Sequence, residues 1–177
     1  MTDLTTLNNV KSYLRLTITT SDAEIQRLIT ATSSLIRSWI NRDITSTSYI
    51  DFLNGTGSKM ILLPNYPITA ISSLFINDIL IDVSKYAFTD TSIILKDGLK
   101  FTYDKSNIEV HYIAGFSSVP YDIEQVCIEL VAKKFKSEER IGIKSKGLAG
   151  ESVSYDIQDM RDEARTLLAS YNKVAPL

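Results

Sequence analysis

Few residues in this chain combine the types and spacing that chemistry requires. The one histidine, His111, sits in the alternating run Ile108–Ile113, where Ile108, Val110 and Tyr112 point one way and Glu109 and His111 the other. That pattern reads as a solvated strand histidine. A Ser-His-Asp triad would have to use His111, but no Gly-x-Ser-x-Gly elbow occurs to present the serine. The one cysteine, Cys127, falls in the middle of an apolar helical stripe and reads as a small buried hydrophobe. One Cys and one His are too few for a structural zinc site. Gly142-Ile143-Lys144-Ser145-Lys146-Gly147 has the glycine spacing of a phosphate-binding loop. Leu148 and Ala149 stand where that loop needs Lys and Ser/Thr, and the segment follows a helix rather than a strand. Asn54-Gly55-Thr56 matches a glycosylation sequon with no secretion signal to give it meaning. Glu138-Glu139 beside Arg140 reads as a solvated helix end. No catalytic residue, cofactor site or metal ligand is therefore assigned.

Composition narrows the classes further. The 177 residues suit one domain, or one domain with an insertion, and 44% are hydrophobic and 23% charged. Nineteen basic against 21 acidic side chains leave a net charge of −2, unlike a protein that binds nucleic acid by neutralising phosphates. No run approaches the roughly 18 apolar residues of a membrane span. The start, Met1-Thr2-Asp3-Leu4, lacks the features of a signal peptide, and a lone cysteine suits a reducing compartment, so synthesis in a cytoplasm is expected.

The periodicity predicts an α+β fold: a small helical bundle with an antiparallel β-sheet inserted between the second and third helices. A short first helix carries Leu7, Val10, Tyr13 and Leu14. A long one, over 22–41, opens on the capping box Ser21-Asp22-Ala23-Glu24. Its stripe of Ile25, Leu28, Ile29, Leu35, Ile36, Trp39 and Ile40 predicts Trp39 in the core shared by the two long helices. From about Ser48 the period becomes 2, predicting strands over 48–53, 59–63, 70–76, 79–83, 86–89, 93–96 and 108–113. Turn chemistry at Asn54-Gly55 with Gly57, at Pro64–Pro67, at Asn77-Asp78 and at Asp97-Gly98 implies a meander of hairpins. A third helix opens at Pro120 and runs to about Glu139, with Ile123, Val126, Cys127, Leu130, Val131 and Phe135 inward. Ile128 and Ala132 widen that stripe, as in a helix packed on both a sheet and a helix, or on a neighbouring subunit.

Two segments stand outside this scheme. Gly142–Ser154 has no period, carries Gly142, Gly147, Gly150, Lys144 and Lys146, and offers Val153 and Tyr155 as anchors for a short strand. It is either a mobile surface loop or a contact loop that orders on assembly. A last helix over 159–171 bears Leu167, Leu168 and Tyr171 on one side, and Val174, Pro176 and Leu177 extend it as an apolar tail. A partner surface is one account of that tail; the other is that the helix packs on its own domain and the end frays.

The order of fragments resembles the head-tail connector, or portal adaptor, family of tailed bacteriophages over nearly the whole chain. The resemblance rests on Leu7-Asn8-Asn9-Val10-Lys11-Ser12-Tyr13-Leu14, on Trp39-Ile40-Asn41-Arg42-Asp43, and on Leu63-Pro64-Asn65-Tyr66-Pro67-Ile68-Thr69-Ala70-Ile71. It continues in Val110-His111-Tyr112-Ile113-Ala114-Gly115-Phe116 with Val119-Pro120, in Glu151-Ser152-Val153-Ser154-Tyr155, and in Leu167-Leu168-Ala169-Ser170-Tyr171. It implies a non-enzymatic virion protein that forms a ring, usually of twelve copies, beneath the capsid portal. Such a ring extends the DNA channel and offers a platform to the next tail component. Its partners would be the portal protein, copies of itself and the next tail protein, with DNA passing unbound and no membrane involved. Residues 1–47 and 117–177 would form one compact unit and 48–116 the inserted β region. The portal contact is expected at Leu167, Leu168, Tyr171, Val174, Pro176 and Leu177. The ring-neighbour or channel loop is expected at Gly142, Lys144, Lys146, Gly147, Gly150, Val153 and Tyr155. The alternative is a non-catalytic binding module whose β region grips a peptide or carbohydrate.

Overall fold

The computed structural model of the protein describes residues 2–138, 145–148, 151–154 and 162–173. The chain divides into two compact units, Met1–Ile40 with Val119–Tyr171, and Asn41–Ser118 with Asn172–Leu177.

The first unit is helical. Helix α1 (Leu7–Leu14) begins where the Thr6 side chain accepts from the Asn9 N–H, and ends at Arg15 in the left-handed region (φ 57°). There the Leu16 N–H closes on the Lys11 carbonyl at 2.9 Å, using a carbonyl the helix leaves unpaired. Helix α2 (Asp22–Ile40) starts with the Ser21 carbonyl accepting from Ile25 at 2.9 Å. Asp22, in its first turn, pairs with Lys11 of α1 at 2.7 Å, where a carboxylate complements the helix dipole. Its buried line is Ile25, Leu28, Ile29, Thr32, Ser33, Ile36 and Ile40.

Trp39 is a correction: it is 44% exposed, not in the shared core. The buried line steps through Thr32 and Ser33 from Ile29 to Ile36 and Ile40, which turns the flanking Leu35–Trp39 line outward. Polar residues hid that path in the sequence. Trp39 instead has the Arg165 guanidinium 5.4 Å from its ring centroid, a cation–π pair with helix α4 (Asp162–Ala169).

Ser33 is buried because the N-terminal segment needs it: its Oγ accepts the Leu4 N–H at 2.9 Å. Leu4 is itself fully buried, and Asp3 accepts from the Gln26 and Thr30 side chains at 2.8 and 3.2 Å. Helix α3 (Tyr121–Glu138) packs against α1, α2 and α4. Ile128 and Ala132 are buried with the rest of its stripe, so the extra width serves packing on several helices.

The second unit is antiparallel β. Its strands are β1 (Thr47–Gly55), β2 (Met60–Leu62), β3 (Ile68–Ile76), β4 (Ile79–Leu80), β5 (Tyr86–Phe88), β6 (Ser92–Leu95) and β7 (Asp104–Ala114). They form not one meander but two sheets, ordered β1-β7-β3-β4 and β2-β6-β5. The eleven-residue β7 returns between β1 and β3, a pairing that local turn signals cannot reveal. The two inner faces share one core, including Leu53, Ile61, Leu63, Leu74, Ile93, Phe101, Ile108 and Val110.

Asn77 and Asp78 both take positive φ (51° and 63°) and close the β3–β4 hairpin as expected. Asn54-Gly55 does not turn the chain. It ends β1, where Gly55 lies so close to the backbone that a Cβ would sit 1.7 Å from the Thr102 carbonyl oxygen. That glycine answers a close approach rather than a hairpin. A second glycine fixes the neck of the unit, where the chain enters and leaves side by side. Ser46 donates to Phe116 and Phe116 to Ile44, both at 2.9 Å, and Gly115 sits at φ 115° with Thr45 backbone against it.

Candidate contact surfaces

The groups able to do chemistry are engaged in structure. Burial pushes the Cys127 thiol up to about 11, and its Sγ lies 3.8 Å from Ser33 Oγ, so it carries little of the thiolate that reactivity needs. His111 Nε2 meets Glu109 Oε1 at 2.6 Å on the outer face of the larger sheet. Tyr112, at 1% exposure, donates to Asp51 Oδ2 at 2.5 Å and accepts from Asn65 Nδ2 at 3.1 Å. Burial, then the Asp51 carboxylate, hold that phenol far above the ordinary tyrosine range. The cluster joins β1, β7 and the Leu63–Pro67 segment, and it is a structural tie, closed to substrate. Among the described residues no group of three His, Cys, Asp or Glu side chains is placed to hold a metal ion. Nor, among the described residues, is any helix long and apolar enough to cross a membrane.

The residues expected to make contacts fall in two places. Lys146 and Gly147 lie on β8 (Ser145–Leu148) and Val153 on β9 (Glu151–Ser154), which pair as a two-stranded ribbon. Lys146 stands opposite Val153, and Gly147 opposite Ser152. The segment read as periodless is thus an antiparallel pair too short to show an alternation. Gly142, Lys144, Gly150 and Tyr155 lie outside the described residues. In α4, Leu168 is buried and Leu167 half-buried, and just beyond it the Tyr171 hydroxyl donates to Asp122 Oδ2 of α3 at 2.7 Å. Val174, Pro176 and Leu177 lie outside the described residues.

A further surface was not singled out from sequence. On the outer face of the larger sheet, Phe52, Glu109, Phe75 and Leu80 stand in one cross-strand row, with Ile50, His111 and Ser73 in the next. Ile50, Phe52 and Leu80 are 57%, 62% and 61% exposed. Their alternation in β1 was legible; which face it covered was not, because both faces of β1 carry apolar residues. Beside this face runs a groove of about 470 Å³ between Phe52–Asn54 of β1 and Met60–Leu62 of β2. Exposed apolar area of this kind marks surfaces that other molecules cover.

The head completion protein family model matches residues 3–174. The chain belongs to the head completion protein family, and its role is that of a structural head–tail connector of the virion. No curated protein matches it. Its fold is similar to that of a chain in the neck of an empty GTA particle computed with C6 symmetry, at a TM-score of 0.60 and 17% identity. It is also similar to chains in the virion of a native gene transfer agent (GTA) particle, at 0.58 and 15%, and in the neck of the native particle computed with C12 symmetry, at 0.57 and 16%. Each likeness covers 97% of this chain and 90% of the other, and at these identities it is one of fold.

Proposed function

We propose that copies of this chain close into a ring of twelve beneath the capsid portal, extending the DNA channel and presenting a platform to the next tail component. The observation that carries this reading is the family match across residues 3–174. The similarity in fold to neck chains, one from a neck computed with C12 symmetry, supports it. A ring is built from head-to-tail contacts that repeat until they close, and so needs two different surfaces on each copy. The β unit with its exposed face and the β8–β9 ribbon are candidates for them. A net charge of −2 suits a channel that lets DNA slide rather than holding its phosphates. The protein acts in this reading without catalysis.

The portal contact is assigned to the C-terminal end. Leu168 and Tyr171 hold α4 on its own unit, so the contact is proposed to fall to half-buried Leu167 and to Val174, Pro176 and Leu177 of the tail. Removing residues 174–177 is expected to leave the melting temperature unchanged and to abolish attachment to portal-bearing heads, scored by co-sedimentation. Normal attachment of the shortened protein would move the contact elsewhere.

A further inference from the structure

The two edges of the larger sheet are built differently. At one edge β4 is two residues long, which leaves little backbone open. At the other, β1 runs nine residues with β7 on one side and, among the described residues, no strand on the other. Folded proteins usually blunt such an edge with a lysine, a proline or a short strand, since a long apolar edge is a template for another chain. The β1 sequence, Thr47-Ser48-Tyr49-Ile50-Asp51-Phe52-Leu53-Asn54-Gly55, contains neither lysine nor proline. Ile50 and Phe52 are both more than half exposed, and the groove toward β2 opens at the Phe52–Asn54 end.

The same chain carries the complement. Strands β8 and β9 pair only with each other among the described strands, four residues against four. A two-stranded ribbon on its own is marginally stable in water, and among the described residues neither outer edge of this one is paired with another strand. Four residues span about 13 Å and nine about 30 Å at roughly 3.3–3.4 Å per residue, so the ribbon would cover about half of β1. A donor and an acceptor on different surfaces make a head-to-tail contact, which is the kind a ring repeats.

We propose that the β8–β9 ribbon of one copy adds to the open β1 edge of the next copy, extending its four-stranded sheet to six. This rests on the ring reading above, and it names the two surfaces that meet.

The test uses the full chain with purified portal, followed by sedimentation and native mass spectrometry. An acceptor variant, Phe52→Lys, places charge at the edge. A donor variant, Gly147→Pro with Ser152→Pro, removes backbone donors from both strands of the ribbon. Ile50→Lys is the second acceptor variant should Phe52→Lys lower the melting temperature. Each variant alone is expected to lose the ring while melting as the parent does. Mixed, they are expected to give 1:1 dimers and no ring, because one intact donor meets one intact acceptor and the chain of contacts then stops. Rings that persist in both single variants would overturn the pairing and leave the ring reading standing. So would a donor variant that rings normally while its β1 amides exchange faster, the mark of a ribbon paired within its own copy. Acceptor variants that ring normally but fail to take up the next tail protein would assign β1 to that partner and overturn it too. A parent that never rings on its portal would overturn the ring reading, and the pairing with it.

Discussion

Tyr112→Phe isolates one hydroxyl in the middle of the β unit. The ring stays, so the packing of Tyr112 against Tyr49, 5.6 Å between centroids, is kept. What is lost is the donor to Asp51 at 2.5 Å and the acceptor for Asn65 at 3.1 Å. A hydrogen bond to a charged group contributes about 1.5–3 kcal/mol and a neutral one about 0.5–1.5 kcal/mol. Asn65 is buried, so losing its partner leaves an amide donor unsatisfied and the sum falls at about 2–4 kcal/mol. At roughly 2–4 °C per kcal/mol for a chain of this size, the midpoint should drop by about 4–16 °C. The assay is urea unfolding followed by tyrosine fluorescence, checked by a thermal scan. A pH series adds an independent reading. The native state keeps the Tyr112 proton well above pH 10, where the unfolded chain releases it. Its contribution is therefore complete below about pH 10 and falls as pH rises beyond that. The phenylalanine variant should lose part of this alkaline slope, the rest belonging to Tyr49 and Tyr86, whose phenols burial also raises. A loss under 1 kcal/mol with the alkaline slope unchanged would refute the buried tie.

Three further substitutions probe the rest of the fold. Gly115→Ala puts a Cβ 2.7 Å from the Thr45 carbonyl oxygen at φ 115°, and should cost about 2–4 kcal/mol by urea unfolding. Trp39→Ala should cost about 1 kcal/mol, far less than the roughly 3–5 kcal/mol of a buried aromatic, since its ring is partly exposed and faces Arg165. Cys127 should resist iodoacetamide at pH 8 in the native protein and react on unfolding, as burial keeps it a thiol; stability from this group is complete below about pH 8.5 and declines as pH climbs toward 11.

The helices and most strands were legible because each has a period long enough to count. The stripe of α2 misled at Trp39 because Thr32 and Ser33, polar by type, are fully buried and steer the packed face away from it. Asn54-Gly55 has turn composition, yet the glycine is there for the Thr102 backbone, a contact nearly fifty residues away in sequence. The same limit hid the two-sheet arrangement, since β7 joins β1 and β3 by pairings that no neighbouring residue announces. The residues proposed to make contacts stood out in the sequence only as exceptions: a stretch with no period and an apolar tail. The exposed row of Phe52, Phe75 and Leu80 needed the register before its members could be seen to stand together.

Whether the protein closes into a ring on its portal is open to direct observation. The purified protein is mixed with its portal and imaged by electron microscopy, with averaging that imposes no symmetry. The expected images show closed rings of twelve copies seated coaxially on the portal, with the passage for DNA open through both. Portals bearing scattered single copies, or none, would contradict it.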